Sequence, residues 1–433
     1  MKNSSTQKAW IVSVDMGYGH QRTVHPLRHL AFEGKIINAN SYRGIPEKDR
    51  MLWEQSREFY EFISNLKRVP LIGEFFFSIY DQFQKILSFY PKKDLSKPTF
   101  SLEKFYSLFQ NGWGKDLIER LKKEKLPLIS SFFIPAFMAE FFGYPGEIFC
   151  IVCDADIARP WVPLNPRLSK IKYFAPTERV VERLKLYGVK AENIFLTGYP
   201  LPEENLGSEN LKTLKQDLSY RLLNLDPKKK YFQKYISLIK TELGELPEKP
   251  DHPLTIMFSI GGAGAQKEIG IKILRSLYEK IKTEQIKIIL SAGIKEKVKR
   301  YLEQNIKNLR LGNNLNKNIE IIFGKDIEDY FKSFNQALRK TDILWTKPSE
   351  LSFYSALGLP IIVAPPVGSQ EEFNKRWLLK SGFGILQEDP NYTNQWLFDW
   401  LEDGYLAESA MEGFVESEKL GIFNILNIVK NIP

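Results

Sequence analysis

Short runs of apolar residues recur along the chain, and two of them end in a glycine-rich loop that leads into helical periodicity. The first run, Ala9-Trp-Ile-Val-Ser-Val14, enters Asp15-Met-Gly-Tyr-Gly-His20 and then a helix-like stretch ending near Gly34. That order is strand, glycine loop, helix. From Leu126 to Pro202 the alternation returns, with buried strands predicted at 147–153, 171–175 and 194–197. A second series opens at Leu254. Its strand 254–260 enters Gly261-Gly-Ala-Gly-Ala265, and the following helix places Ile269, Ile273, Leu274, Leu277 and Ile281 on one face. Further strands are expected at 286–291, 318–323, 342–345 and 360–364, and the tail after Asn391 reads as helical. Strands alternating with helices of this length imply parallel sheets covered on both faces.

Two segments break the pattern. Residues 45–125 are aromatic and basic with helical spacing, as in Phe59-Tyr-Glu-Phe-Ile63 and Phe75-Phe-Phe-Ser-Ile-Tyr80, and read as a helical insertion. Its aromatics form either core or an exposed apolar-basic surface. Residues 203–250 are polar and lysine-rich, with Asp226-Pro227, Pro247 and Pro250, and read as a linker with peripheral helices. The predicted layout is an α/β chain of two Rossmann-like domains facing a central crevice. The first occupies 1–202, with the insertion at about 45–125. The second occupies 251–390, and a helical tail covers 391–433. Open α/β sheets bind ligands outside the carboxyl ends of their strands, so each glycine loop marks a candidate site.

Composition narrows this only a little. Across 433 residues, 61 Lys and Arg face 52 Asp and Glu, a net charge of +9 that favours anionic partners or simply solubility. The two cysteines, Cys150 and Cys153, lie three apart on a buried-strand pattern. Residues so spaced face opposite sides, so two small buried side chains are expected rather than a disulfide or a metal pair. No run of eighteen uncharged apolar residues occurs, and the first ten residues are polar. Neither a span nor a signal peptide is therefore read, and a cytoplasmic location, with peripheral attachment to the inner membrane face as an option, is expected. No basic recognition helix or repeat suggests nucleic acid.

The chemistry gathers at strand ends. Gly261, Gly262 and Gly264 allow close backbone approach, and the helix starting near Gln266 offers unpaired N–H groups and ~half a positive charge. A diphosphate fits there; the plainer reading is a tight turn for packing. Thr346-Lys-Pro-Ser-Glu-Leu-Ser352 and Ile361-Ile-Val-Ala-Pro-Pro-Val-Gly-Ser-Gln-Glu-Glu-Phe-Asn374 follow two later strands. Lys347 suits a phosphate. Gln370 and Glu371 suit sugar hydroxyls, with Asn374 in support, although Ser369 and Gln370 could merely cap a helix. Of four histidines, His20 ends the first glycine loop and should point into the crevice as a general base or, alternatively, a cap. Asp154 and Asp156 follow a buried strand and are the next candidates, while Asp15 could be a structural acceptor. His20, His25 and His29 are not spaced to share a metal, and no metal site is expected.

These segments together resemble glycosyltransferase family 28. Gly261 to Gln266, Leu357 to Pro360 and Gln370-Glu371…Asn374 resemble its donor domain. Asp15-Met-Gly-Tyr-Gly-His20, with Gly17 and Gly19, resembles its acceptor-side loop. Val152-Cys-Asp154, Trp161, Tyr173-Phe-Ala-Pro176, Gly188-Val189 and Ile194-Phe-Leu-Thr-Gly-Tyr-Pro200 follow the order of its monogalactosyldiacylglycerol synthase and diacylglycerol glucosyltransferase group. Pro70 to Tyr80 falls where those enzymes carry a helical acceptor region. The resemblance implies a GT-B fold and metal-independent, inverting transfer from a nucleoside diphosphate sugar, with no cofactor. The aromatic-basic insertion suggests a lipid or lipid-linked acceptor at an anionic membrane surface, or else a purely structural helical cap. His20 or Asp154 would be the base; Lys347, Ser349, Glu350, Gln370, Glu371 and Asn374 would hold the donor. Three departures stand out. Phe353 occupies the family's acidic ribose position, with Glu350 nearly a turn earlier. The donor loop Lys347-Pro-Ser-Glu350 is two residues short. The Thr-His-Pro turn is Phe132-Phe-Ile-Pro135. Two alternatives stay open: a nucleotide-sugar epimerase of the same architecture, and a non-catalytic nucleotide-sugar-binding protein.

Overall fold

A computed structural model describes residues 7–55, 86–261, 264, 266–366 and 369–432. The chain divides into two compact units. The first comprises Met1–Pro200, Val367–Asn374 and Leu420–Pro433; the second comprises Leu201–Pro366 and Lys375–Lys419. Each is built on a six-stranded sheet whose neighbouring strands all run parallel. Helices fill the connections, so both units are Rossmann-like, as the GT-B class requires.

In the first unit the strands are β1 (Ala9–Ser13), β2 (Ala31–Asn38), β3 (Leu128–Ser130), β4 (Ile148–Ile151), β5 (Lys172–Ala175) and β6 (Ile194–Leu196). Their order is β2-β1-β3-β4-β5-β6. β3 and β4 are buried along their whole length because they lie inside the sheet under helices. The helix-like stretch expected to reach Gly34 is instead three elements: a helix over Tyr18–Val24, a 3-10 turn over His25–Leu30, and β2. Pro26, at the start of the 3-10 turn, lacks an N–H and ends the α-helical ladder. β2 is an edge strand with a largely uncovered face, and Glu33 and Gly34 both take positive φ where its register slips, so no clean alternation marks it. In the insertion, residues 47–55, Phe100–Gln110 and Lys115–Leu121 are helical. Phe59 to Ile63 and Pro70 to Tyr80 lie outside the described residues.

The second unit holds β7 (Leu254–Ser259), β8 (Ile286–Gly293), β9 (Ile319–Phe323), β10 (Ile343–Thr346), β11 (Ile361–Val363) and β12 (Gly384–Leu386), in the order β12-β11-β10-β7-β8-β9. The peripheral helices expected within 203–250 are present, as Lys212–Leu225 and Lys230–Leu243, but the segment belongs to this unit rather than linking two. Fully buried Arg221 ties the first of them down by donating to the carbonyls of Thr341 (2.7 Å) and Leu357 (2.7 Å). Composition hid this, because a lysine-rich solvent face masks the buried stripe Leu214, Leu218, Leu222 and Leu225. The expected tail is also divided. Helices Thr393–Asp403 and Tyr405–Glu416 pack in the second unit, whereas Gly421–Lys430 belongs to the first, where Asn424 donates to the carbonyl of Thr197 at 2.9 Å.

Candidate active site

The first unit's candidate chemistry lies beyond the carboxyl ends of β1, β3 and β4. Gly17, with φ 99°, turns the chain from β1 into the helix starting at Tyr18, and Gly19 lies inside that helix. The turn places half-buried His20 so that its Nδ1 donates to the carbonyl oxygen of Ser131 at 2.9 Å. A neutral imidazole that donates from Nδ1 carries its lone pair on Nε2, the arrangement a base needs. The Phe132 ring packs 4.8 Å from the imidazole and the Trp161 ring 6.4 Å from it, forming an aromatic wall. Cys153 Sγ lies 3.6 Å from Nδ1, and both cysteines are reduced and buried.

The acidic candidates separate clearly. Asp156 is buried and receives Arg183 Nε at 2.8 Å and Arg179 Nε at 2.8 Å. The Arg179 guanidinium in turn stacks 3.5 Å above the Phe89 ring. Asp156 is therefore a structural counter-ion, since both of its carboxylate oxygens are engaged by guanidinium groups. Asp154 accepts from Asn374 Nδ2 at 3.1 Å, and the same amide accepts the Ala155 N–H at 2.8 Å. Asn374, expected beside the donor sugar, is thus fully buried and clamps the loop after β4. Gln370 is half-buried and Glu371 buried near the start of the helix Ser369–Lys380. Asp15 does act structurally through its backbone, which exchanges two hydrogen bonds with the Asn40 amide (2.9 and 3.1 Å).

In the second unit three neighbouring strands deliver polar groups to one place. Lys347 follows β10 directly and crosses the turn after β7. A Cβ added at Gly261 would come within 2.8 Å of Lys347 Cε, so glycine is what lets the lysine lie there. Gly264 and Gln266 take positive φ (74° and 66°), which turns the loop into the helix Lys267–Ser276. Gln266 Nε2 donates to the Pro365 carbonyl at 2.7 Å, binding the loop to the segment after β11. Gly270 lets that helix sit close to the sheet, since a Cβ would be 3.1 Å from Phe258 Cδ1. Gly262 lies outside the described residues. Ser349 and Glu350 begin the 3-10 segment Glu350–Leu357, and both are half-buried. Phe353 is 4 % exposed and packs on the Trp377 ring at 5.1 Å, so it is core and offers nothing to a ribose.

Sequence reasoning missed the Ser131 carbonyl, which no side-chain pattern could announce. It also missed the direct His20 contacts of Phe132 and Cys153, although both residues lay in quoted motifs.

A processive diacylglycerol beta-glucosyltransferase of Bacillus subtilis (strain 168) is 23 % identical over 371 residues, covering 81 % of this chain and 82 % of its own. The chain is similar to the diacylglycerol glucosyltransferase group of glycosyltransferase family 28. A processive diacylglycerol beta-glucosyltransferase of Bacillus licheniformis is 22 % identical over 317 residues, covering 72 % of this chain and 68 % of its own. Residues 247–424 match a family model described as Domain of unknown function (DUF6938). Among solved structures, MurG of Acinetobacter baumannii aligns with 98 % of this chain and 100 % of its own at 14 % identity and a TM-score of 0.47. A putative UDP-N-acetylglucosamine 2-epimerase of Listeria monocytogenes covers 76 % of this chain and 78 % of its own at 14 % identity and a TM-score of 0.46.

Proposed function

We propose that this chain is a glycosyltransferase that moves a sugar from a nucleoside diphosphate sugar to an acceptor hydroxyl with inversion. The observation that carries the reading is Lys347 lying across Gly261 at the entry to the helix Lys267–Ser276. An ammonium at the start of a loop that leads into a helix N-terminus suits a diphosphate leaving group, which gathers negative charge. That pair can neutralise the leaving group without a metal ion. The sequence likeness to named glucosyltransferases supports the same reading.

The step balances simply. His20 Nε2 takes the proton of the acceptor hydroxyl as its oxygen attacks the anomeric carbon from the face opposite the diphosphate. The bond from the anomeric carbon to the phosphate oxygen breaks, and the nucleoside diphosphate leaves with the electron pair. Ser131 fixes the imidazole for this task through Nδ1. Asp154, already engaged by Asn374, is the weaker candidate for base. Glu350 and Ser349 meet the ribose, and Gln370 with Glu371 orients the sugar. The acceptor is a lipid or lipid-linked hydroxyl, in keeping with the exposed apolar side chains Tyr90, Phe100 and Leu168 in a unit that also exposes several lysines.

Incubation with a panel of nucleotide-sugars and a lipid acceptor extract tests the proposal. Release of free nucleoside diphosphate together with a glycosylated acceptor supports transfer. A rearranged nucleotide-sugar with no free nucleotide would point to an epimerase. Nucleotide binding without turnover would point to a binding protein.

A further inference from the structure

The loop after β4 turns through the 3-10 segment Arg159–Trp161, whose first and last side chains meet different surroundings. Arg159 is 1 % exposed, and its guanidinium donates to backbone carbonyls. Nε and Nη2 donate to Ser96 (3.0 and 2.6 Å), Nη1 to Val162 (2.5 Å) and Nη2 to Pro163 (3.0 Å). Among the described residues no carboxylate lies within ion-pair distance of it, and Asp94, two residues before Ser96, is paired with Arg167 at 3.0 Å. Val162 and Pro163 directly follow Trp161, whose own carbonyl accepts from Tyr173 Oη at 3.0 Å. The Trp161 ring packs 5.2 Å from the Phe133 ring, 6.1 Å from the Phe132 ring and 6.4 Å from the imidazole of His20. The same imidazole meets the Ser131 carbonyl and Cys153 Sγ at Nδ1 (2.9 and 3.6 Å).

A buried guanidinium without a counter-ion is costly, and here four hydrogen bonds to carbonyls offset that cost. Its planar fork serves carbonyls lying in several directions at once, which an ammonium matches only in part and an apolar side chain not at all. Two of the three carbonyls belong to the residues after Trp161, so the fork fixes the backbone from which the indole projects. We propose that Arg159 is a positioning residue for His20. By holding Ser96, Val162 and Pro163 it seats the Trp161 ring beside the imidazole, and the seated ring keeps Nδ1 on the Ser131 carbonyl. The effect on turnover rests on the transferase reading; the effect on the imidazole does not.

Long-range proton–nitrogen correlation NMR on the full chain tests it, with the His20 ring signals assigned by their loss in His20→Gln. For the neutral imidazole of wild type, a single tautomer protonated at Nδ1 is expected. Arg159→Met is expected to show both tautomers in exchange, and Arg159→Lys a smaller change. Trp161→Ala, which leaves the guanidinium and its carbonyls in place, is expected to reproduce the Arg159→Met signals. Over a nucleotide-sugar panel, kcat of Arg159→Met is expected to fall on the order of 10²-fold, as for a slightly misplaced catalytic group. Nucleoside diphosphate affinity, read by thermal shift, is expected to stay as in wild type, because the donor loop belongs to the second unit. Circular dichroism confirms that each variant is folded, and Arg159→Lys serves if Arg159→Met is not. The proposal is overturned if the folded variants keep the wild-type His20 signals, or if nucleotide affinity falls as far as kcat, the mark of a general loss of structure. Altered His20 signals in a protein that transfers no sugar would remove the transferase reading and leave the positioning role, and turnover with unaltered signals would do the reverse.

Discussion

His20 Nδ1 donates to the carbonyl oxygen of Ser131 at 2.9 Å. A backbone carbonyl can only accept, so the contact selects the tautomer whose base is Nε2, and it does so without a side chain that mutation could remove. General-base catalysis contributes on the order of 10²- to 10⁴-fold. His20→Ala is therefore expected to lower kcat by about that factor, with nucleotide affinity retained. Asp154→Asn, which keeps the shape Asn374 grips, is expected to lower kcat less than ten-fold, on the order of one lost hydrogen bond. Steady-state kinetics on the two variants side by side checks the ranking. A larger loss in Asp154→Asn would make Asp154 the base.

Gly261→Ala probes the donor loop of the second unit. Its Cβ would meet Lys347 Cε at 2.8 Å, and a flexible side chain yields before the backbone does. The fold should persist while the ammonium is displaced. Turnover is expected to fall by on the order of 10²-fold, the range for one lost electrostatic donor to a leaving group. Thermal unfolding close to wild type, combined with this loss, is the outcome that checks the argument.

Turnover is also expected to survive chelation. If the helix N-terminus and Lys347 take the leaving group's charge, excess EDTA leaves the rate unchanged to within about two-fold, since no metal supplies that stabilisation. An activity that EDTA abolishes and magnesium restores would contradict this part of the mechanism.

His252 gives the second unit a pH dependence. Burial lowers its affinity for a proton, but hydrogen bonds and charge from Asp342 and Asp251 outweigh burial and raise it above its ordinary value. Asp251 is also held by Lys340, and Asp342 accepts the Thr255 N–H at 2.8 Å with Arg221 nearby. A group whose folded pKa is raised stabilises the fold fully below its unfolded pKa of roughly 6.5 and loses that contribution as pH rises through the folded value. Urea midpoints are therefore expected to fall on going from mildly acidic to alkaline pH, and His252→Gln should flatten that slope.

The first unit carries several exposed apolar and basic side chains between residues 90 and 168. Tyr90 and Phe100 are each 72 % exposed and Leu168 80 %, with Lys92, Lys93, Lys97, Lys104 and Arg167 also exposed. Sedimentation with anionic vesicles at low salt is expected to capture the protein, and 0.5 M salt to release most of it, because attraction over a Debye length is screened. Capture by neutral vesicles alone would contradict the electrostatic part.

Much of this was legible in the sequence. Buried parallel strands announce themselves as apolar runs, which is why β4, β5, β7, β8 and β10 were expected close to where they lie. β2 was not, because an edge strand with exposed Glu33, Gly34 and Lys35 shows neither alternation nor a run. The helices within 203–250 are expected only as periphery to a linker, because their polar face outnumbers the buried stripe that packs around Arg221. At the site, Lys347 and Gly261 are both legible as candidates, but that one lies over the other depends on how β10 and β7 pair, which no local pattern encodes. Asn374 reads as support for a donor sugar by its place after a strand and by the family resemblance. The structure commits its amide to Asp154 and Ala155, a pairing 219 and 220 residues apart that no local pattern encodes.

The measurement that bears most directly on the donor site is calorimetric titration of wild type and Lys347→Met with a nucleoside, its monophosphate and its diphosphate, repeated for uridine, guanosine, adenosine and thymidine. The expected result is one base for which affinity rises sharply at the diphosphate, with that rise lost in Lys347→Met while nucleoside affinity is kept. Equal affinity for all three forms of every base, or an undiminished diphosphate gain in Lys347→Met, would contradict a diphosphate site at Gly261 and Lys347.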